Sequence, residues 1–352
     1  MLILDGLPAR HVGPQLTPVL AGLGADGAFT VGRSVMTSAT YPNHASFITG
    51  VTPLEHGLVA NWVHDGERPR PAHHVGPSVP TLFDACRRAG RHSVAVFGDQ
   101  RLVGVMGARQ ADYHWPPDGR IPDAARRDRY DYVADDEVVE QLAGLWSGEW
   151  DLMVAHLNEP DTAGHIDGPD SDEASVAYTA TDVALGRIVS GLAPVWEDLV
   201  LVVLSDHDQL GVDPAVAPIQ LEPRPGLTAI PEGSAAVVWG QDPDRGAWLD
   251  RIDGVAGHEE LRPGVRLVWA TPGRVFALPA GFHAGAARGH HGGVETRDQV
   301  VVVSGGHARA AGLVGAVRNT TPGAEDWAPT IADLLGLDLP GAVGRSLLAA
   351  RK

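Results

Sequence analysis

LVLVVLSDHDQ, residues 199 to 209, decides the fold: six apolar residues, Leu199 to Leu204, run without a polar break and empty into Ser205, Asp206, His207 and Asp208. An unbroken apolar run of that length reads as a strand buried on both faces, which belongs in a parallel sheet covered by helices. Its polar end then lies at the carboxyl edge, where open α/β sheets hold their ligands. Two other segments repeat the design. MLILDG, residues 1 to 6, delivers Asp5 after three apolar residues, and LMVAHLNEPDTAGHIDGP, residues 152 to 169, ends a strand at Leu157 and continues into a loop carrying Asp161 and His165. RGHHGGVE, residues 288 to 295, adds His291 before two glycines, with His290 beside it. A single aspartate at a strand end is an ordinary turn residue. Recurrence of carboxylate and imidazole at successive strand ends points to a metal centre.

TYPNHASFITG, residues 40 to 50, supplies a nucleophile. Thr40 stands at a helix start with Pro42 in the first turn, where unpaired backbone N–H groups gather and hold an anion. Alone, a threonine there is a helix cap. Next to a metal centre its hydroxyl has a second use, as a phosphate-attacking oxygen.

With these pieces assembled, the chain resembles the alkaline phosphatase superfamily and, within it, the type I phosphodiesterase and nucleotide pyrophosphatase branch. The resemblance runs through Asp5, LTPVLAGLGADGAF (16 to 29), TYPNHASFITGVTPLEHGLVAN (40 to 61), PTLFDACRRAG (80 to 90), the EPDTAGH loop, SDH, HGG and DWAPTIADLLGLDLPGAVGRSLL (326 to 348). It implies an α/β fold, a sandwich of helices around a mostly parallel central sheet, and two divalent metal ions, zinc first with manganese or iron as alternatives. Residue by residue, it assigns Asp161, His165 and His291 to one metal and Asp5, Asp206, His207 and Thr40 to the other. Asn61 takes the place of the phosphate-binding asparagine.

The implied reaction is in-line displacement at phosphorus by Thr40 through a phosphoryl-threonine, with Asn61 and the backbone N–H of Tyr41 or Asn43 on the equatorial oxygens. Three aspartates against two divalent cations leave about one positive charge, which a threonine alkoxide cancels, favouring a monoanionic diester or pyrophosphate-type bond. A phosphonate (phosphonoacetate-type) or phosphomonoester hydrolase is the nearest alternative; a phosphoryl transferase or mutase and a non-catalytic metal-binding protein are the others. The phosphonoacetate hydrolase branch binds its substrate carboxylate with lysines, and Lys352 is the only lysine here. Two departures from the family are Asp208, where a glycine usually follows SDH, and the doubled His290–His291.

The remaining sequence frames this centre. Apolar runs at 1 to 4, 94 to 97, 152 to 157 and 199 to 204 predict strands, and 18 to 24, 42 to 49, 80 to 89 and 173 to 192 predict helices between them. Residues 208 to 290 break the rhythm with short β-like runs AAVVWG, VRLVWA and RVFAL, read as a cap inserted into a core of 1 to 207 and 291 to 352. Residues 109 to 135 read as a second excursion near the site. Substrate contacts are expected from these loops: Tyr41, Asn43, His64, Tyr113, Trp115 and Arg127, with Trp62, Tyr130, His73, His74, Arg126 and Arg129 as further candidates. A formal net charge of −17 argues against a nucleic-acid polymer as partner, leaving a small phosphoester or phosphonate. The lone Cys86 permits neither a disulfide nor a thiolate site, and sulfatase-type chemistry lacks its CxPxR motif. No leader and no membrane-length apolar run is present in the sequence, which predicts a cytoplasmic location.

Overall fold

The computed structural model describes residues 1–146, 149–277 and 287–349. Seven strands form the central sheet in the order Ala28–Arg33, Asp298–Ser304, Leu201–Leu204, Leu2–Leu4, Leu152–Leu157, Ser93–Phe97, Tyr113–Trp115. Neighbours pair in parallel from Leu201–Leu204 through to Tyr113–Trp115, while Asp298–Ser304 runs antiparallel to both of its neighbours. The sheet is therefore mostly parallel. Alternate residues of each strand feed opposite cores. Ile3, Ala95, Phe97, Val154, Val202 and Leu204 bury against one layer of helices, and Leu2, Leu4, Val94, Val96, Met153 and Val203 against the other. That double-sided burial is why these strands read as continuous apolar runs rather than alternating ones.

The helices carry their own start and stop signals. Asp172–Leu192 begins where Ser171 accepts the backbone N–H of Ala174, and it lays Tyr178, Leu185, Ile188 and Leu192 on the sheet. Leu82–Ala89 opens on a Thr81–Asp84 capping box and ends at Gly90, whose φ of 64° only glycine adopts at no cost. Cys86 is buried on its inner face.

Beyond the central sheet, Thr228–Glu232, Ala235–Trp239, Val265–Ala270 and Val255–Arg262 form a separate four-stranded antiparallel sheet over a small core of Ile219, Val238, Leu249 and Val268. AAVVWG and VRLVWA are strands within it. RVFAL is not: Phe276 makes only an isolated bridge to Ile219, and Leu278 lies outside the described residues. Leu210–Gly211 pairs with Gly289–His290, so both ends of this stretch meet beside the metal-ligand candidates. The second excursion also differs from expectation, because Tyr113–Trp115 is the edge strand of the central sheet itself. No helix of the described residues is long and apolar enough to cross a membrane.

Candidate metal centre

Strand ends and two short helices place the candidate ligands. Asp5 follows Leu2–Leu4, and its backbone N–H donates to Leu157 O at 2.9 Å, in line with the strand that leads to Asp161. Asp206 follows Leu201–Leu204; its Oδ1 accepts Gly6 N–H at 3.0 Å and His207 N–H at 3.1 Å, fixing the carboxylate between two strand ends. Asp161 and His165 lie one turn apart on the helix Glu159–Asp167 and therefore share a face, with His165 Nε2 3.4 Å from Asp161 Oδ1. His291 reaches the same oxygen at 3.8 Å. Gly6 (φ 61°) has no room for a side chain: a Cβ there would stand 3.0 Å from Asp161 Oδ1.

Three imidazoles are fixed through Nδ1. His165 Nδ1 donates to Gly289 O at 2.8 Å, His207 Nδ1 to Asp208 O at 3.2 Å and His291 Nδ1 to Ser38 O at 3.2 Å. A carbonyl only accepts, so each Nδ1 carries the hydrogen and each Nε2 turns a lone pair inward. His207 Nε2 lies 3.2 Å from Asp206 Oδ2, 3.6 Å from Asp5 Oδ1 and 3.3 Å from Thr40 Oγ1. Asp5 Oδ1 and Asp206 Oδ2 are buried without a hydrogen-bond partner, and Asp5, Asp206 and His207 offer atoms all within 4.8 Å of one another. Asp161, His207 and His291 form another such group. Partnerless buried carboxylate oxygens facing imidazole lone pairs are costly unless a cation joins them, so the donor set fits hard-to-borderline divalent ions. The stacked rings of His207 and His291, 3.8 Å apart, bring the two ligand groups side by side.

Electrostatics agree. Burial drives the Asp5 carboxyl well above the usual range, with Asp206, Asp161 and Asp99 adding repulsion, and burial likewise raises Asp206. Burial holds His207 down to about 4, and burial with the neighbouring His207, His165 and His290 holds His291 well below its ordinary value. Neutral imidazoles are the form that binds metal.

Thr40 is the first residue of the helix Thr40–Thr49, whose cap position is Ala39. Its hydroxyl caps nothing and turns instead to His207. Asn61 Oδ1 accepts the Tyr41 N–H at 3.0 Å and its backbone N–H goes to Glu232 Oε2 at 2.6 Å, leaving the two Nδ2 hydrogens without a partner among the described residues. Tyr41 is buried, its phenol donating to Asp99 at 2.9 Å. Asn43 does not join the site: its side chain accepts Val35 N–H and donates to Ala39 O, and its backbone N–H is spent in the helix.

The expected substrate contacts separate. Tyr113 pairs in register with Val94 and thence Met153, at the amino half of the sheet, three strand spacings or roughly 14 Å from the Asp5 strand. Trp115 is buried in the core with Val96 and Val133. His64 packs on Trp239 at 5.9 Å, and Arg127 pairs with Asp131 at 3.1 Å. Arg126 and Arg129 are likewise committed, to Asp136 and Asp167. Tyr130 is the aromatic that reaches the centre, with its ring 6.2 Å from that of His165. Asp208 turns away to Arg10, 2.6 Å distant, and His290 accepts the His291 N–H on Nδ1, so it presents an Nε2–H donor rather than a lone pair.

Sequence reading missed three supporting residues. His156 Nε2 donates to Asp5 Oδ2 at 2.8 Å from the penultimate position of the strand Leu152–Leu157, and Gln209 Nε2 bonds Asp161 Oδ1 and O across the glycine surfaces of Gly6 and Gly164. Glu232 arrives from the second sheet. His156 sits inside an apolar run and so carried a signal; Gln209 and Glu232 carried none.

The family model described as Type I phosphodiesterase / nucleotide pyrophosphatase matches residues 1–290. Ectonucleotide pyrophosphatase/phosphodiesterase family member 1 of Rattus norvegicus is 28% identical over 219 residues, 58% of this chain and 23% of that protein. Venom phosphodiesterase of Macrovipera lebetinus is 27% identical over 188 residues, 50% and 21% respectively. The match thus spans less than a quarter of the length of these curated relatives. Murine ectonucleotide pyrophosphatase/phosphodiesterase 5 superposes with a TM-score of 0.74 at 18% identity, over 97% of this chain and 96% of that one. Phosphonoacetate hydrolase from Sinorhizobium meliloti 1021 in complex with phosphonoacetate gives 0.63 at 17%, over 86% and 88%.

Proposed function

Because the chain belongs to the type I phosphodiesterase/nucleotide pyrophosphatase family, we propose that it is a two-metal phosphoric ester hydrolase that cleaves a phosphodiester or pyrophosphate-type bond in a small substrate with Thr40 as nucleophile. The observation that carries this reading is Thr40 Oγ1 at 3.3 Å from His207 Nε2, beside the partnerless oxygens of Asp5 and Asp206 and clear of any capping role. Asp161, His165 and His291 would hold one divalent ion, zinc first, and Asp5, Thr40, Asp206 and His207 the other. When bound, the ions supply Lewis acidity that brings the threonine hydroxyl within reach of neutral pH and screens charge on the leaving oxygen.

Thr40 Oγ1 attacks phosphorus in line with the departing oxygen, giving a phosphoryl ester on Thr40; water then attacks phosphorus and restores the hydroxyl. Asn61 Nδ2 donates to a nonbridging oxygen throughout, held in that pose by Tyr41 N–H on its Oδ1 and by Glu232 on its own N–H. Residues 208 to 290, through Glu232, act as the insertion that shapes access to this pole. The test is a substrate panel on zinc-quantified protein: bis(4-nitrophenyl) phosphate, 4-nitrophenyl phosphate and phosphonoacetate, wild type against Thr40→Ala. The diester is expected to turn over fastest, and the variant to lose about 10³-fold or more. Equal rates in the two proteins would remove Thr40 from the chemistry, and a preference for either other substrate would move the reaction class.

A further inference from the structure

Arg101 is a half-buried guanidinium beside the nucleophile helix that forms no ion pair among the described residues. Its NH1 donates to the Tyr132 phenol at 2.9 Å and its Cζ lies 5.4 Å from that ring, while Tyr41, the residue after Thr40, meets it through their shared neighbour Asp99. The nearest carboxylate, Asp99, is occupied otherwise: Oδ2 accepts the Tyr41 phenol and Oδ1 accepts the backbone N–H of Arg101, not the guanidinium. Arg126, Arg127 and Arg129, by contrast, are each paired with an aspartate. Asp99 ties this cluster to the metal-ligand candidates, because its backbone N–H donates to His156 Nδ1 at 3.4 Å and His156 Nε2 donates in turn to Asp5 Oδ2 at 2.8 Å. Tyr41 and Tyr132 are held far above their ordinary phenol range by burial, so both stay neutral and neither cancels the arginine charge. A half-buried guanidinium whose direct hydrogen-bond partner is neutral, with the Asp99 carboxylate near it but not in contact, gains from an anion that completes its fork.

We propose that Arg101, braced by Tyr132, is a specificity-determining subsite for a second anionic group on the substrate, a phosphoryl or a carboxylate, beyond the phosphorus attacked by Thr40. The proposal rests on the hydrolase reading above and names the substrate class that reading leaves open. Nothing covalent happens at this subsite; it binds and orients.

The experiment compares competitive inhibition of bis(4-nitrophenyl) phosphate hydrolysis by methylphosphonate, which has one anionic group, with phosphonoacetate and methylenediphosphonate, which add a carboxylate or a second phosphoryl. The readout is each probe's Ki divided by that of methylphosphonate, in zinc-loaded wild type and Arg101→Gln of matched melting temperature. Loss of one charge-assisted fork is expected to raise the ratio about tenfold for the probe whose second group is recognised. Arg101→Lys should recover part of the effect, and Tyr132→Phe should shift the ratio about threefold in the same direction, a check that stands even where Arg101→Gln fails to fold. Whichever probe responds identifies carboxylate or phosphoryl. Unchanged ratios for both probes would overturn the subsite. Should the wild type hydrolyse no diester, the hydrolase reading fails, while the same ratios, read as calorimetric Kd values, still decide the role of Arg101.

Discussion

Asp5→Asn should make the metal-free protein more stable while weakening its hold on metal. Asp5 and Asp206 each bring a carboxylate oxygen to within 4.8 Å of the other, and Asp5 Oδ1 and Asp206 Oδ2 are buried without a hydrogen-bond partner. Two like charges 4.8 Å apart repel by roughly 3.5 kcal/mol at an effective dielectric constant of about 20, and uptake of a proton lowers the realised cost. Asparagine keeps an oxygen for the His156 Nε2–H and removes the repulsion from Asp206, Asp161 and Asp99. About 2 kcal/mol of stabilisation is expected near pH 8, or roughly 3 °C in melting temperature for a chain of this size. The sign in pH follows from the raised carboxyl of Asp5: the folded state holds that proton more tightly than the unfolded one, so wild-type stability falls as pH rises from the ordinary aspartate range through the raised value. The two proteins should melt together in acid and diverge as pH rises. Thermal denaturation of chelator-treated protein across pH reads this directly, and adding zinc should reverse the order. An Asp5→Asn protein that is less stable than wild type without metal at every pH would refute the electrostatic reasoning.

Asn61→Ala is expected to lower kcat on bis(4-nitrophenyl) phosphate by about 10²-fold with little change in metal content, measured by steady-state kinetics and elemental analysis. His156→Phe, which removes the hydrogen bond on Asp5 Oδ2, should weaken zinc by about 10 to 100-fold in competition with a chromophoric chelator. Asp208→Gly, restoring the residue usual in the family, should cost up to about 1 kcal/mol in denaturant titration through loss of the Arg10 pair and leave zinc affinity within about threefold.

Strands buried on both faces were legible because nothing polar interrupts them: Leu152–Leu157 falls on its predicted bounds and Leu201–Leu204 within two residues. Ala28–Arg33 was not, since Thr30, Gly32 and Arg33 dilute an edge strand that faces solvent. The run at 300 to 303 is plainly apolar, yet its reversed direction in the sheet is a matter of long-range pairing that no local pattern encodes. Likewise, the candidate ligands sit at strand ends, where period and polarity change together and the reading is local. Substrate-side residues depend on which loop folds over which, and so Tyr113 and Trp115 drew attention as aromatics while being an edge strand, and Arg101 drew none despite its unpaired charge. Gln209 and Glu232 act through a neighbour's side chain or backbone, a relation that appears only in three dimensions.

The proposed centre has seven side chains, carried by strand ends and by two helices beside them, sharing two divalent ions with the Thr40 oxygen at one of them. Anomalous diffraction from crystals grown in zinc tests it most directly: two peaks about 4 Å apart are expected, one ligated by Asp161, His165 and His291 and the other by Asp5, Asp206 and His207 with Thr40 Oγ1 in its coordination sphere. A single peak, or two peaks with Thr40 Oγ1 beyond bonding distance of both, would contradict it.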